Sequence, residues 1–181
     1  MSPTVSAELA AVQQALAGLQ AKQDLHELTA RYCIGVDRRD RALLESLWWP
    51  ESEIDFGLFK GSGAQFAEII SAPNPAVEIT YHFAGNELFE VDGDRASGRS
   101  YVLGVSVVLG EDGTKTDQLV GGRYLDQYER RGGVWKFTRR LFVVDWMNSQ
   151  PDNARWDAGI GAVARRGRAG LDDVSSTFFK S

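Results

Sequence analysis

Leu9, Val12, Leu16 and Leu19 fall three and four residues apart, the spacing of one face of an α-helix, and Leu25, Leu28 and Tyr32 carry a second phase of the stripe. The pattern predicts one long or broken helix from about Ala7 to Val36, ending near the charged run Asp37-Arg38-Arg39-Asp40. A short helix is predicted at Arg41–Trp49, stopped by Pro50, which lacks the N–H that a continuing helix needs. Ser52–Phe59 alternates well enough for a strand. Lys60-Gly61-Ser62-Gly63 reads as a loop opening another short helix through Phe66, Ile69 and Ile70, which Pro73 and Pro75 end.

From Val77 the character changes to long strands, Val77–Val91, Ala96–Leu109, Lys115–Glu129 and Val134–Met147. They are divided by Asp92-Gly93-Asp94, Gly110-Glu111-Asp112-Gly113 and Arg130 to Gly133. Glycine-bearing turns between long neighbouring strands mean antiparallel hairpins. Helices first and a curved antiparallel sheet after them make an α+β layer arrangement, with a cavity between helix and sheet as the default ligand site. Residues 1–148 are expected to form the domain. Residues 149–181 are read as an extension carrying Arg165, Arg166, Arg168 and the pair Phe178-Phe179, packed over the cavity or on a neighbouring subunit.

The chain's 181 residues suit one domain with such an extension. Its 20 basic and 25 acidic side chains give a net charge of −5, which argues against nucleic-acid or anionic-membrane binding. Cys33 is the only cysteine, so no internal disulfide forms, and a reducing cytosol is the default compartment. Glu8 stands where a signal peptide would be basic or apolar, and the apolar run from Tyr101 to Leu109 is too short to span a bilayer. The expectation is a cytoplasmic protein. Two separated histidines and one cysteine offer no metal-ligand spacing. Gly159-Ile160-Gly161 with Ala164 lacks the preceding strand of a dinucleotide site, and Arg165-Arg166-Gly167-Arg168 reads as a solvated or subunit-contact patch.

Four segments occur in a telling order: Tyr32-Cys33-Ile34-Gly35-Val36-Asp37-Arg38-Arg39, Leu47-Trp48-Trp49, Tyr81-His82-Phe83-Ala84-Gly85-Asn86, and Tyr128-Glu129-Arg130-Arg131-Gly132-Gly133-Val134-Trp135-Lys136-Phe137. From about Val12 to Asn148 this resembles the SnoaL-like branch of the nuclear-transport-factor-2-like (NTF2-like) superfamily. Within the branch it is more similar to the hexachlorocyclohexane dehydrochlorinases than to most members, with the scytalone dehydratases as cousins. The resemblance implies a conical α+β barrel, a strongly curved antiparallel sheet wrapped around a long N-terminal helix and short helices. It also implies a homo-oligomer, with a trimer favoured, and chemistry without metal or organic cofactor. It further implies an Asp–His dyad, Asp37 with His82, and matches Arg140 to an arginine that contributes to the family's cavity. The dehydrochlorinases carry a lysine slightly ahead of the aspartate, where this chain has Tyr32; scytalone dehydratases use tyrosines.

An elimination needs a base of near-neutral pKa and a donor or cation where the leaving group departs. Histidine suits the first role, with an ordinary pKa of about 6.5, and a carboxylate on its other ring nitrogen fixes the tautomer and stabilises the imidazolium. Arg140 or Tyr32 would stabilise the departing oxygen or halide. Large aromatics are mostly core, but some of Trp48, Tyr81, Phe56 and Trp146 are expected to line the pocket, with Cys33 packed close by. His26 precedes Asp37 by about three turns, roughly 16 Å of helix rise, and is taken as structural or surface. The expected function is a cofactor-independent lyase acting on a hydrophobic, aromatic small molecule by dehydration, dehydrohalogenation or deformylation. An isomerase or polyketide-type cyclase and a non-catalytic ligand-binding module remain open, because this fold hosts all of them.

Overall fold

Helix α1 (Pro3–Asp37) contains 35 residues, about 52 Å of helix rise. Its two apolar phases have different fates. Ala21, Leu25, Leu28, Tyr32, Cys33 and Val36 are buried, whereas Leu9, Val12, Leu16 and Leu19 remain 47–67% exposed. The seam that announces the helix is therefore not the one that packs; the second phase is. This is a computed structural model, and it describes residues 3–178.

Asp40 caps α2 (Arg41–Ser46) by accepting a hydrogen bond from the Leu43 N–H at 3.0 Å. Gly35 lets α2 approach α1, since a Cβ there would stand 2.9 Å from the Leu44 side chain. The predicted helix to Trp49 ends early. The Leu47 carbonyl accepts from the Phe137 N–H, and the chain passes at once into β1 (Trp48–Asp55). Pro50 is tolerated in this strand because it lies where the register against β6 slips, between Trp48 and Glu53, so no ladder bond is lost. Gly57, at φ 75°, turns the expected strand back before Phe59, and Lys60–Gly61 forms the short return strand β2. Ser62 and Gln65 form a capping box for α3 (Gly63–Ser71).

The hairpins follow as predicted: β3 (Val77–Asp92), β4 (Arg95–Leu109), β5 (Lys115–Arg131) and β6 (Val134–Pro151). The sheet order is β2-β1-β6-β5-β4-β3. The α+β arrangement stands, with two refinements. The β1–β6 pair is parallel, so the sheet is mixed, and the curved sheet stays open because β2 and β3 are edges that do not pair with each other. Strand β6 also runs three residues beyond Asn148.

Two bulges decide which side chains face the helix. On β3 a register step between Gly85 and Leu88 contains Asn86, whose φ is 49°. Thr80 and His82 face inward before it, and Phe89 and Val91 after it, so the inward positions change from even to odd. On β6 the pairing steps from Phe137 to Arg139, leaving Thr138 unmatched. The inward series Trp135 and Phe137 therefore continues at Arg140 and Phe142.

The extension folds onto its own chain beside the C-terminal end of α1 and the start of β3. The Arg166 guanidinium donates to Glu78 at 2.5 Å and stacks 4.1 Å over the Trp156 ring. Arg38 donates to the Arg168 carbonyl at 3.1 Å and lies 3.7 Å from Asp173. The Asp173 carboxylate accepts from the Ser175 hydroxyl and from the N–H groups of Arg168 and Ser175, which hold its carboxyl well below the usual range. The segment also contains α4 (Ile160–Val163) and α5 (Ser175–Phe178). Phe178 is exposed, and Phe179 lies outside the described residues. Among the described residues no helix is long and apolar enough to cross a membrane.

Candidate active site

Asp37 is the last residue of α1, and His82 is an inward position of β3. Their contact joins helix to sheet. One carboxylate oxygen, Oδ1, lies 2.6 Å from His82 Nδ1, while Oδ2 accepts from the His82 backbone N–H at 2.9 Å. Gripped at ring and backbone together, the imidazole has its Nδ1 assigned as the protonated nitrogen, which leaves the Nε2 lone pair free. Cross-strand from His82 is Gly104, and a Cβ there would stand 3.6 Å from Nε2. The missing side chain keeps the approach to that nitrogen open.

Nε2 belongs to a cavity of about 290 Å³ between helices and sheet, at the small end of ligand pockets. Val36, Phe56, Phe66, Ile70, Val102 and Phe142 form its apolar walls. Thr80, Ser106 and Gln118 add polar groups, and Tyr32 and Tyr124 complete the enclosure. Tyr32 stacks on Phe66 at 5.9 Å and meets Tyr124 edge-on at 5.6 Å. Burial pushes the Tyr32 phenol far above its ordinary range, with Arg140 only partly offsetting it, so the group remains a neutral hydroxyl. Tyr124 is raised in the same way, also by burial.

Arg140 does not line this cavity. Its side chain is wholly buried and makes a two-pronged ion pair with Asp126, at 2.7 and 2.8 Å. The guanidinium lies 3.9 Å from the ring centre of Tyr124, 4.1 Å from Tyr32 and 4.4 Å from Phe137. It stands behind the tyrosines that face the cavity. Arg139, on the other face, is exposed beside Glu53.

Of the aromatic candidates, only Phe56 borders the cavity. Trp48 is a core residue, with its ring centre 4.7 Å from that of Phe137. Tyr81 points to the opposite face from its neighbour His82, as alternation requires, and is 56% exposed. Trp146 also lies on the outer face, against Gly121, where a Cβ would collide with the indole at 2.1 Å. Cys33 packs in the core beneath the cavity, and burial pushes its thiol up to about 11. His26 pairs with Glu87 at the surface, away from Asp37. Thr80, Gly104, Ser106, Gln118 and Tyr124 were not singled out in the sequence. The signal that finds them is strand register: counting across the hairpins from His82 reaches Gly104 and Val120, and from Thr80 it reaches Ser106 and Gln118.

Residues 17–141 match the SnoaL-like domain family. The chain is 31% identical over 125 residues to hexachlorocyclohexane dehydrochlorinase 1 of Sphingobium indicum, covering 67% of this chain and 79% of that protein. Among solved structures it is similar to a type 2 hexachlorocyclohexane dehydrochlorinase, LinA, with a TM-score of 0.67 and 27% identity over 75% of this chain and 93% of that one. A putative scytalone dehydratase of Novosphingobium aromaticivorans, at 19% identity, shares the fold with a TM-score of 0.65 over 87% of this chain and 97% of that one. The NTF2-like α+β architecture expected from the resemblance is borne out, and the chain belongs to the SnoaL-like domain family.

Proposed function

We propose that the protein is a cofactor-independent lyase in which His82 Nε2 removes a proton from carbon. The observation that carries this reading is the Asp37 carboxylate, held at 2.6 Å from His82 Nδ1 and at 2.9 Å from the backbone N–H of the same residue. The base is aimed before substrate arrives. As Nε2 takes the proton, the C–H electron pair becomes the new double bond and the leaving group departs from the adjacent carbon with its own bonding pair. The imidazolium that forms is stabilised by Asp37, with no need for the carboxylate itself to be protonated. The cavity wall carries no lysine or arginine side chain among the described residues, so neutral donors meet the departing group. The Tyr32 hydroxyl is our choice for that role. Apolar walls fit a hydrophobic, ring-sized substrate, in keeping with the similarity to dehydrochlorinases.

We also propose self-association through the outer sheet face, as a trimer. Tyr81, Phe83, Tyr101 and Trp146 are each at least half exposed there, and a contiguous apolar face of this kind marks a protein contact.

The test is Asp37→Asn and His82→Ala. With folding verified by circular dichroism, each lowers turnover by about 10²–10⁴-fold, the worth of a positioned general base. The ¹⁵N shifts of the His82 ring report the Nδ1–H tautomer in the wild type and its loss in Asp37→Asn. Retained turnover in either variant, or an unchanged tautomer, defeats the mechanism. A product of unchanged mass would replace elimination by isomerisation.

A further inference from the structure

The cavity is not uniformly apolar. The row of cross-strand neighbours next to the His82–Gly104–Val120 row is Thr80–Ser106–Gln118, polar at every position. Rows on one face of a sheet are two residues apart, about 7 Å, and three strands span about 10 Å. The Thr80 hydroxyl is fully buried and has no hydrogen-bond partner among the described residues. Trp48, Ser100, Trp135 and Arg140 also hold buried polar atoms without a partner, but Thr80 alone of these borders the cavity. An unpartnered buried hydroxyl is costly, so a ligand oxygen that settles against this row and reaches it gains a hydrogen bond that the free protein lacks.

We infer that this row is a recognition subsite, and that the substrate carries a neutral oxygen function, a hydroxyl or carbonyl, about 7 Å along the sheet from the carbon that yields its proton. The inference rests on the cavity being the substrate site of the proposed lyase. A leaving group sits on the carbon next to the reacting one, closer to Nε2 than this row, so the row holds a separate substituent. A carboxylate or phosphate is excluded on charge, because the cavity wall offers no lysine or arginine among the described residues. The ligand class is an oxygenated, ring-sized apolar molecule. A fully halogenated ring or a plain hydrocarbon would leave the buried Thr80 hydroxyl without a partner.

The probes are 2-naphthol and naphthalene, titrated into the full chain while the His82 ring resonances report occupancy of the cavity. The wild type binds 2-naphthol more tightly, and the ratio of the two affinities is the readout, which cancels any general loss of stability. Thr80→Val keeps the shape but removes the hydroxyl, and lowers that ratio about 2–10-fold, the worth of a neutral hydrogen bond. Gln118→Leu does the same independently, so one badly folding variant does not end the experiment. A ratio unchanged in both variants overturns the subsite, as does the absence of any probe-induced shift at His82. Neither result touches the base mechanism, which stands or falls on the turnover of Asp37→Asn and His82→Ala.

Discussion

Replacing Arg140 by Met tests the account of the residue that sequence reasoning placed in the catalytic cavity. The side chains of Arg140 and Asp126 are 0% and 1% exposed, and the pair is two-pronged at 2.7 and 2.8 Å. Methionine preserves much of the volume between the Tyr32, Tyr124 and Phe137 rings but leaves the Asp126 carboxylate buried with the Tyr128 hydroxyl, 2.9 Å away, as its remaining side-chain donor among the described residues. Breaking a buried pair from one side costs about 3–5 kcal/mol. A small domain has only about 5–15 kcal/mol of stability in all. With a urea m-value of about 2 kcal/mol/M, the midpoint of unfolding falls by about 2 M. The assay is urea unfolding followed by tryptophan fluorescence. The double variant Arg140→Met/Asp126→Leu removes both charges, and most of the loss returns, because the Tyr128 hydroxyl that Asp126 releases keeps the Thr29 side chain as a partner. A single variant within 1 kcal/mol of wild type refutes the reasoning, as does a double variant no better than the single one.

Gly104→Ala puts a methyl 3.6 Å from His82 Nε2, where the proposed mechanism brings the substrate C–H. Turnover and 2-naphthol affinity are expected to fall while the thermal midpoint stays level or rises; unchanged turnover would mean that the substrate approaches from elsewhere. Burial raises the Cys33 thiol to about 11, above its unfolded value of about 8.5. Its contribution to stability is therefore complete below about pH 8.5 and is lost as pH rises through 11, and a disulfide reagent such as DTNB reacts at neutral pH only on unfolding. The Asp173 carboxyl is instead held low by its hydrogen bonds. Its anchoring of the extension is complete above about pH 4 and fades only as pH falls further. Asp173→Ala is expected to speed proteolysis after Pro151 at neutral pH, and an unchanged cleavage rate would show that Arg166 and Glu78 hold the extension without it.

Hydrophobic period and turn chemistry made most of the elements readable, because hairpins and amphipathic helices are written locally. The errors come from contacts made far along the chain. Trp48-Trp49-Pro50 has the look of a helix end, yet the segment belongs to a strand because β6, almost ninety residues later, offers an edge for a parallel pairing. Leu9 to Leu19 satisfy the helical period as well as Leu25 to Tyr32 do, and only the position of the sheet decides which stripe is covered.

The site was legible to the extent that alternation is unbroken. If His82 faces in, Tyr81 and Phe83 face out, so Tyr81 was never compatible with the same cavity. Arg140 is the harder case. Extending the buried pair Trp135 and Phe137 by twos would bring in Arg139 and send Arg140 to solvent; the unmatched Thr138 reverses them. That reversal has a chemical consequence. It places a guanidinium close to the cavity but opposes it at once with Asp126, so the cation and its anion largely cancel at the cavity wall. Asp37 is left as the carboxylate in direct contact with the imidazole. Among the described residues no lysine or arginine side chain lines the cavity beside that contact. Under the proposed recognition subsite, the same neutrality would make hydrogen-bonding groups, rather than charges, the means by which this cavity selects a substrate.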